Sequence, residues 1–87
     1  MISKKLTEQE KEVLVILMEE CGELIQACSK VLRAGKKKEF ISTLAQEVAD
    51  VEVLIDLVES YGIVPATKSG LYLNKLNNLR KWSDLKV

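Results

Sequence analysis

The sequence predicts an all-α fold of three helices, at about residues 7–34, 38–61 and 67–83. Apolar residues recur every three or four positions through long segments, which is the spacing of an amphipathic helix. Glycines end the first two segments, and the only proline lies in the loop before the third. These features indicate one small helical domain that spans residues 1–87.

The start of the first helix has a capping signature. Thr7 is followed three residues later by Glu10, which fits a capping box in which the two side chains satisfy each other's free amides. Gly35 is expected to end this helix after Ala34.

The second helix is expected to begin near Lys38 and to end at Tyr61, before Gly62. The segment IVPATKSG then forms a loop, because it contains proline, glycine and small polar residues. A shorter third helix follows and ends at about Trp82 or Ser83.

The size of the chain predicts self-association. A domain of 87 residues buries only a little over ~60% of its unfolded surface, and it is marginally stable alone. The apolar arcs of the first two helices are also too wide for one neighbour. We therefore expect a four-helix bundle core built from two copies of these helices, in a homodimer or a homotetramer.

Composition argues against several classes of protein. Thirteen Lys and Arg residues balance thirteen Asp and Glu residues, whereas a nucleic-acid-binding domain usually has a basic excess. Apolar stretches are interrupted by charges, so no transmembrane helix is expected. The first ten residues lack the apolar core of a signal peptide, and a cytoplasmic location is expected.

Two cysteines, Cys21 and Cys28, lie seven residues apart on the first helix. Two helical turns separate them by ~10 Å, which is too far for a disulfide. We expect both to be free thiols buried as small apolar residues.

Carboxylates occupy the apolar arc of the first helix. At about 100° per residue, Val13, Leu24 and Val31 lie within roughly 60° of Glu20. Glu23 lies about 60° to one side of Glu20, at the edge of the arc, and Glu19 lies further out.

The second helix repeats this arrangement. Leu44, Val51 and Leu54 lie within roughly 60° of Glu47, and Asp50 lies about 60° round on the side that Glu23 occupies in the first helix. Each helix therefore carries one carboxylate within its apolar arc and a second three residues later.

Carboxylates in such positions need a compensating cation, because burying an unpaired charge costs several kcal/mol or neutralises it. No lysine or arginine lies within either apolar arc. A divalent ion that prefers oxygen ligands is the expected partner, with Mg²⁺ first and Mn²⁺ as a substitute. The absence of histidine argues against a di-iron bundle, which uses Glu-x-x-His pairs.

The motif EExxE, followed on the next helix by ExxD, resembles the hallmark of the MazG-like all-α nucleoside triphosphate pyrophosphatases. It stands here as Glu19-Glu20-Cys21-Gly22-Glu23 and Glu47-Val48-Ala49-Asp50. The segment IQACSKVLRAG also looks like the small, phage-type members of that family. The resemblance is specific over about residues 13–58.

The resemblance implies a function and a set of site residues. Glu20, Glu23, Glu47 and Asp50 would coordinate Mg²⁺, and Glu19 would orient or deprotonate the attacking water. A nucleoside triphosphate would be cleaved to a monophosphate and pyrophosphate. Lys30, Arg33 and Lys75 would bind the phosphates of the substrate, although each is also a reasonable solvated surface residue.

The short third helix departs from the family pattern. It implies that a neighbouring subunit completes the pocket or that the activity is weak or lost. The alternative function is a non-catalytic helical interaction module that keeps the carboxylates as a structural metal site. The preferred base and sugar cannot be deduced from the sequence.

Overall fold

The computed structural model describes residues 5–66 and 70–87. This part of the chain contains three helices and no strand, which confirms the all-α prediction: α1 spans Glu8–Ala34, α2 spans Lys38–Ser60 and α3 spans Gly70–Trp82. The predicted helix ends differ from the observed ones by one residue at Thr7, Tyr61 and Ser83. The predicted start of the third helix, residues 67–69, lies outside the described residues.

The capping box at the start of α1 is present. The Thr7 hydroxyl accepts a hydrogen bond from the Glu10 amide at 3.1 Å, and the Glu10 carboxylate accepts one from the Thr7 amide at 2.8 Å. Two of the amides that a helix start leaves unpaired are thereby satisfied. The first turn of α1 is fixed by its own side chains.

A tight turn at residues 35–37 joins α1 to α2. Gly35 has a φ of 83°, which glycine adopts without steric penalty, and its amide donates to the Val31 carbonyl at 2.8 Å. At the other end of α2, the Gly62 amide donates to the Glu59 carbonyl. Both glycines therefore end a helix, as the sequence predicts.

Helices α1 and α2 pack against each other as an antiparallel hairpin. Val13 near the start of α1 forms a buried cluster with Leu54 and Val58 near the end of α2. Val51 and Ala27 are also buried. Since these buried residues all lie on α1 and α2, the hairpin is the structural unit that positions the carboxylates.

The hairpin has two unlike faces. On each helix, most of the exposed apolar residues lie to one flank, with Val15 and Val53 as exceptions, and antiparallel packing places both flanks on the same side. We call this side the apolar face. It consists of Leu17, Met18, Leu24, Ile25, Leu32, Ile41, Leu44, Val48 and Ile55.

The opposite side of the hairpin, which we call the acidic face, carries Glu19, Glu23 and Asp50. Cys28 lies on the apolar flank of α1 and is exposed, so the expectation that both cysteines are buried is wrong for the single chain. Cys21 is half-buried, and both thiols are free.

Helix α3 lies apart from the hairpin. None of its Cα atoms comes within 8 Å of a Cα atom in α1 or α2. The radius of gyration is 16.1 Å, whereas a compact domain of this length has one of about 12 Å. None of the described helices is long and apolar enough to cross a membrane.

Candidate metal centre

The hairpin brings three carboxylates together. One oxygen each from Glu20 and Glu23 on α1 and from Glu47 on α2 lies within 4.8 Å of the other two. The spacing of three residues places Glu20 and Glu23 on neighbouring turns of one helix flank. The contact between α1 and α2 then places Glu47 opposite them.

Two of these carboxylates lie partly inside the contact between the helices. Glu20 and Glu47 are half-buried, and the Oε2 atom of each is buried without a hydrogen-bond partner. Glu23 is exposed at the edge of the acidic face. A buried carboxylate oxygen without a partner is unfavourable, which makes both atoms open to a cation.

Burial raises the pKa of Glu20 above its ordinary value, and the charges of Glu23, Asp50 and Glu19 raise it further. The pKa of Glu47 is also raised, first by burial, then by a hydrogen bond with Glu23 and by the neighbouring charges. Without a cation, both groups therefore bind a proton more tightly in the folded chain than an exposed glutamate does.

The donor set fits a small hard cation. Mg²⁺ holds oxygen ligands at about 2.1 Å, so two oxygens on one ion lie at most about 4.2 Å apart. The three oxygens of Glu20, Glu23 and Glu47 are already within 4.8 Å of one another, and a small rotation of the side chains would bring them closer. Carboxylate oxygens are also the ligands that Mg²⁺ and Mn²⁺ prefer.

Asp50 is near this group but does not belong to it. Its Oδ1 atom accepts a hydrogen bond from Gln46 Nε2 at 2.8 Å. Its charge still raises the pKa of both Glu20 and Glu47. The role of Asp50 as a ligand therefore stays a prediction, for which its Oδ2 atom remains available.

The remaining predicted site residues lie in different places. Glu19 is exposed on the acidic face, beside Glu20. Lys30 and Arg33 line a cleft near the turn of the hairpin. Lys75 is exposed on α3, which the structure does not bring to the hairpin, so its role stays a prediction.

Two neighbours of the site were not predicted from the sequence. Gln46 precedes Asp50 by four residues, a spacing at which amide and carboxylate side chains form hydrogen bonds on a helix, so this pair could have been recognised. Phe40 lines the cleft with Lys30 and Arg33. No periodic pattern marks Phe40 as a cleft residue, because its position depends on the packing of α2 against α1.

Comparisons of the chain with protein-family models, with curated proteins and with solved structures found no match.

Proposed function

We propose that this protein is a Mg²⁺-dependent hydrolase that cleaves nucleoside triphosphates to monophosphates and pyrophosphate. One observation carries the proposal. Two half-buried carboxylates on different helices, Glu20 and Glu47, each hold a buried oxygen without a partner, and Glu23 adds a third oxygen within 4.8 Å. The resemblance of EExxE and ExxD to the MazG-like motif supports the same reaction.

The proposed ligands are Glu20, Glu23 and Glu47, with Asp50 as a fourth. When bound there, Mg²⁺ would neutralise phosphate charge and lower the pKa of a coordinated water. Phosphate transfer requires mainly positioning and charge neutralisation, so the absence of histidine is no obstacle.

Glu19 is the proposed general base. It is exposed on the acidic face, and its charge is close enough to raise the pKa of Glu20. A water would lose one proton to Glu19 and attack the α-phosphorus of the nucleotide. The bond between the α-phosphorus and its bridging oxygen would break, and pyrophosphate would leave with that oxygen.

A second copy of the chain is proposed to cover the apolar face. The chain exposes 7,357 Å², about 2,000 Å² more than a folded monomer of 9.8 kDa is expected to expose. Met18, Ile25 and Leu32 of the apolar face are 72%, 69% and 86% exposed. Two hairpins that join these faces form a four-helix bundle and leave the carboxylates accessible on the opposite side.

The second candidate function is a helical interaction module in which the carboxylates hold a purely structural metal. The exposed apolar face supports it, since such a face also suits assembly without catalysis. The accessible position of Glu19 and Glu23 on the other face favours the enzyme, because a structural site has no need of an open side.

The test is a panel of ribonucleoside and deoxyribonucleoside triphosphates, including modified bases, incubated with the protein and Mg²⁺. Products are separated by ion-exchange chromatography. We expect equal amounts of monophosphate and pyrophosphate from at least one nucleotide, and none with EDTA. Release of inorganic phosphate and a nucleoside diphosphate instead would refute the proposed cleavage position. A Mg²⁺-bound, folded protein that leaves every nucleotide intact would favour the interaction module.

A further inference from the structure

One stripe of α2 carries apolar residues at its centre and opposite charges at its two ends. It consists of Lys37, Ile41, Val48, Ile55 and Glu59, which are spaced by four or seven residues and therefore lie on one side of the helix. Lys37 directly precedes α2, and Glu59 lies in its last turn. The three apolar members belong to the apolar face, so the stripe follows the surface that is proposed to bind a second copy.

The stripe is symmetric about Val48 in its spacing but not in its charge. Ile41 and Ile55 each lie seven residues from Val48, and Lys37 and Glu59 each lie eleven residues from it. Two such helices that pack antiparallel about Val48 therefore place Ile41 against the partner's Ile55. They also place Lys37 against the partner's Glu59, and a twofold dimer contains this ion pair twice.

Helix α1 has exposed apolar residues around the same level. Glu20 and Glu23 both approach Glu47, so this part of α2 lies level with residues 20–23 of α1. Met18 and Ile25 lie about one helical turn to either side of that level, and both are largely exposed. The antiparallel arrangement about Val48 therefore also places Met18 against the partner's Ile25.

The charges at the two ends of the hairpin favour this direction of packing. The turn end is basic, because residues 30–38 carry five cations and no acid. The open end, where α2 finishes, is acidic, because residues 50–60 carry four acids and no cation. In the described part of the chain, no carboxylate forms an ion pair with Lys36, Lys37 or Lys38.

A dimer with both turns at one end of the bundle would bring these basic segments together. Its acidic ends would likewise meet at the other end of the bundle. Like charges across an interface are unfavourable, whereas the antiparallel dimer brings each basic turn to an acidic end.

We propose that two copies of the chain pack antiparallel about Val48, so that the basic turn of each hairpin lies beside the acidic open end of the other. The inference rests on the dimer described under the proposed function, and it specifies the direction of that dimer and its ion pairs. Lys37 is the residue that pairs with the partner's Glu59. The carboxylate groups of the two copies then lie near the middle of the bundle, on its two outer sides.

Charge reversal tests the ion pairs. Sedimentation velocity at low ionic strength gives the Kd of the dimer for wild type, Lys37→Glu, Glu59→Lys and the double variant. Each single reversal makes both pairs repulsive and should raise the Kd about tenfold. The double variant has opposite charges again, so its Kd should return to within about threefold of wild type.

The matched control is Lys30→Glu, which makes the same charge change near the turn but on the flank of α1 that faces the acidic side. Its Kd should stay within about threefold of wild type, since a charge outside the contact contributes little. Circular dichroism establishes that every variant is folded. Equal weakening by Lys30→Glu, or single reversals that the double variant does not restore, would overturn the proposed pairs.

A distance measurement tests the direction of packing independently. Lys36→Cys, in a background of Cys21→Ala and Cys28→Ala, carries one nitroxide label at each turn for double electron–electron resonance. Lys36 precedes Val48 by twelve residues, so the antiparallel dimer predicts a separation of roughly 35–40 Å between the two turns. Neighbouring helices in a bundle lie about 8–10 Å apart, so a separation of about 20 Å or less would show both turns at one end and overturn the inference.

The outcomes separate this inference from the proposed function. A dimer that Ile25→Asn dissociates but that shows the short distance would refute the direction of packing and leave the apolar-face dimer intact. A monomer at every concentration would refute both. Absence of pyrophosphate release, together with the long distance and restoration by the double variant, would refute the enzyme and leave the antiparallel dimer standing.

Discussion

Substitution of Ile25 by asparagine should dissociate the proposed dimer. Ile25 lies on the apolar face and is 69% exposed in the single chain. Full burial of an isoleucine side chain contributes about 1.5–3 kcal/mol, so covering the exposed two thirds contributes about 1–2 kcal/mol per subunit. A twofold dimer contains two copies of Ile25, so the substitution should weaken the free energy of dimerisation by about 3 kcal/mol. This corresponds to roughly a hundredfold increase in the Kd of the dimer.

Sedimentation velocity over a range from nanomolar to high micromolar concentration measures this shift. The matched control is Val53→Asn, because Val53 is 56% exposed but lies on the flank of α2 that faces the acidic side. The control should dissociate at the same concentration as wild type. The proposed interface is refuted if Val53→Asn weakens the dimer as much as Ile25→Asn, or if wild type is a stable, folded monomer at micromolar concentration.

Three further predictions concern stability. Millimolar Mg²⁺ or Mn²⁺ should raise the melting temperature of wild type by mass action, and Glu47→Gln should reduce this increment. Identical increments in the two proteins would exclude a metal site that includes Glu47. The pKa values of Glu20 and Glu47 are raised above 4.5, so the folded metal-free protein binds protons more tightly than the unfolded chain. Its melting temperature in EDTA should therefore fall as the pH rises from 4.5 through the raised pKa values. Over the same range, the increase in melting temperature caused by Mg²⁺ should grow. A pH-independent increment would contradict this. Thr7→Ala should lower the free energy of unfolding, measured by urea denaturation, by about 1 kcal/mol through loss of the cap. An unchanged urea midpoint would show that the capping box does not contribute to stability.

The sequence predicted the helices well because their signals are local. The Thr7 and Glu10 side chains and the glycines at 35 and 62 determine where helices begin and end within a few residues of themselves. The apolar period also predicted which sides of α1 and α2 meet. It therefore located Glu20 and Glu47 correctly within the contact between the two helices.

A helical wheel does not represent the interactions that determine two features of the structure, which are the convergence of the carboxylate oxygens and the position of α3. Side-chain rotamers decide which oxygens converge, and the rotamer of Asp50 follows its hydrogen bond to Gln46. The apolar pattern of α3 likewise did not reveal that Lys75 lies away from the hairpin, because a helical wheel does not say where one helix lies relative to another.

The exposure of Cys28 has a related cause. Its flank of α1 is apolar, which suggests burial, but α2 does not cover that flank. Sequence patterns identify an apolar surface without saying whether the same chain or another covers it. The proposed dimer accounts for both the pattern and the exposure.

The most direct test of the proposed enzyme is the rate of pyrophosphate release by wild type, Glu47→Gln and Glu52→Gln under saturating Mg²⁺. Both substitutions make the same chemical change on α2, but Glu52 is exposed and lies outside the carboxylate group. Loss of one electrostatic group at the reacting phosphate predicts a decrease of about a hundredfold or more for Glu47→Gln and wild-type turnover for Glu52→Gln. Equal rates in all three proteins, or no release by folded wild type from any nucleoside triphosphate, would contradict the account.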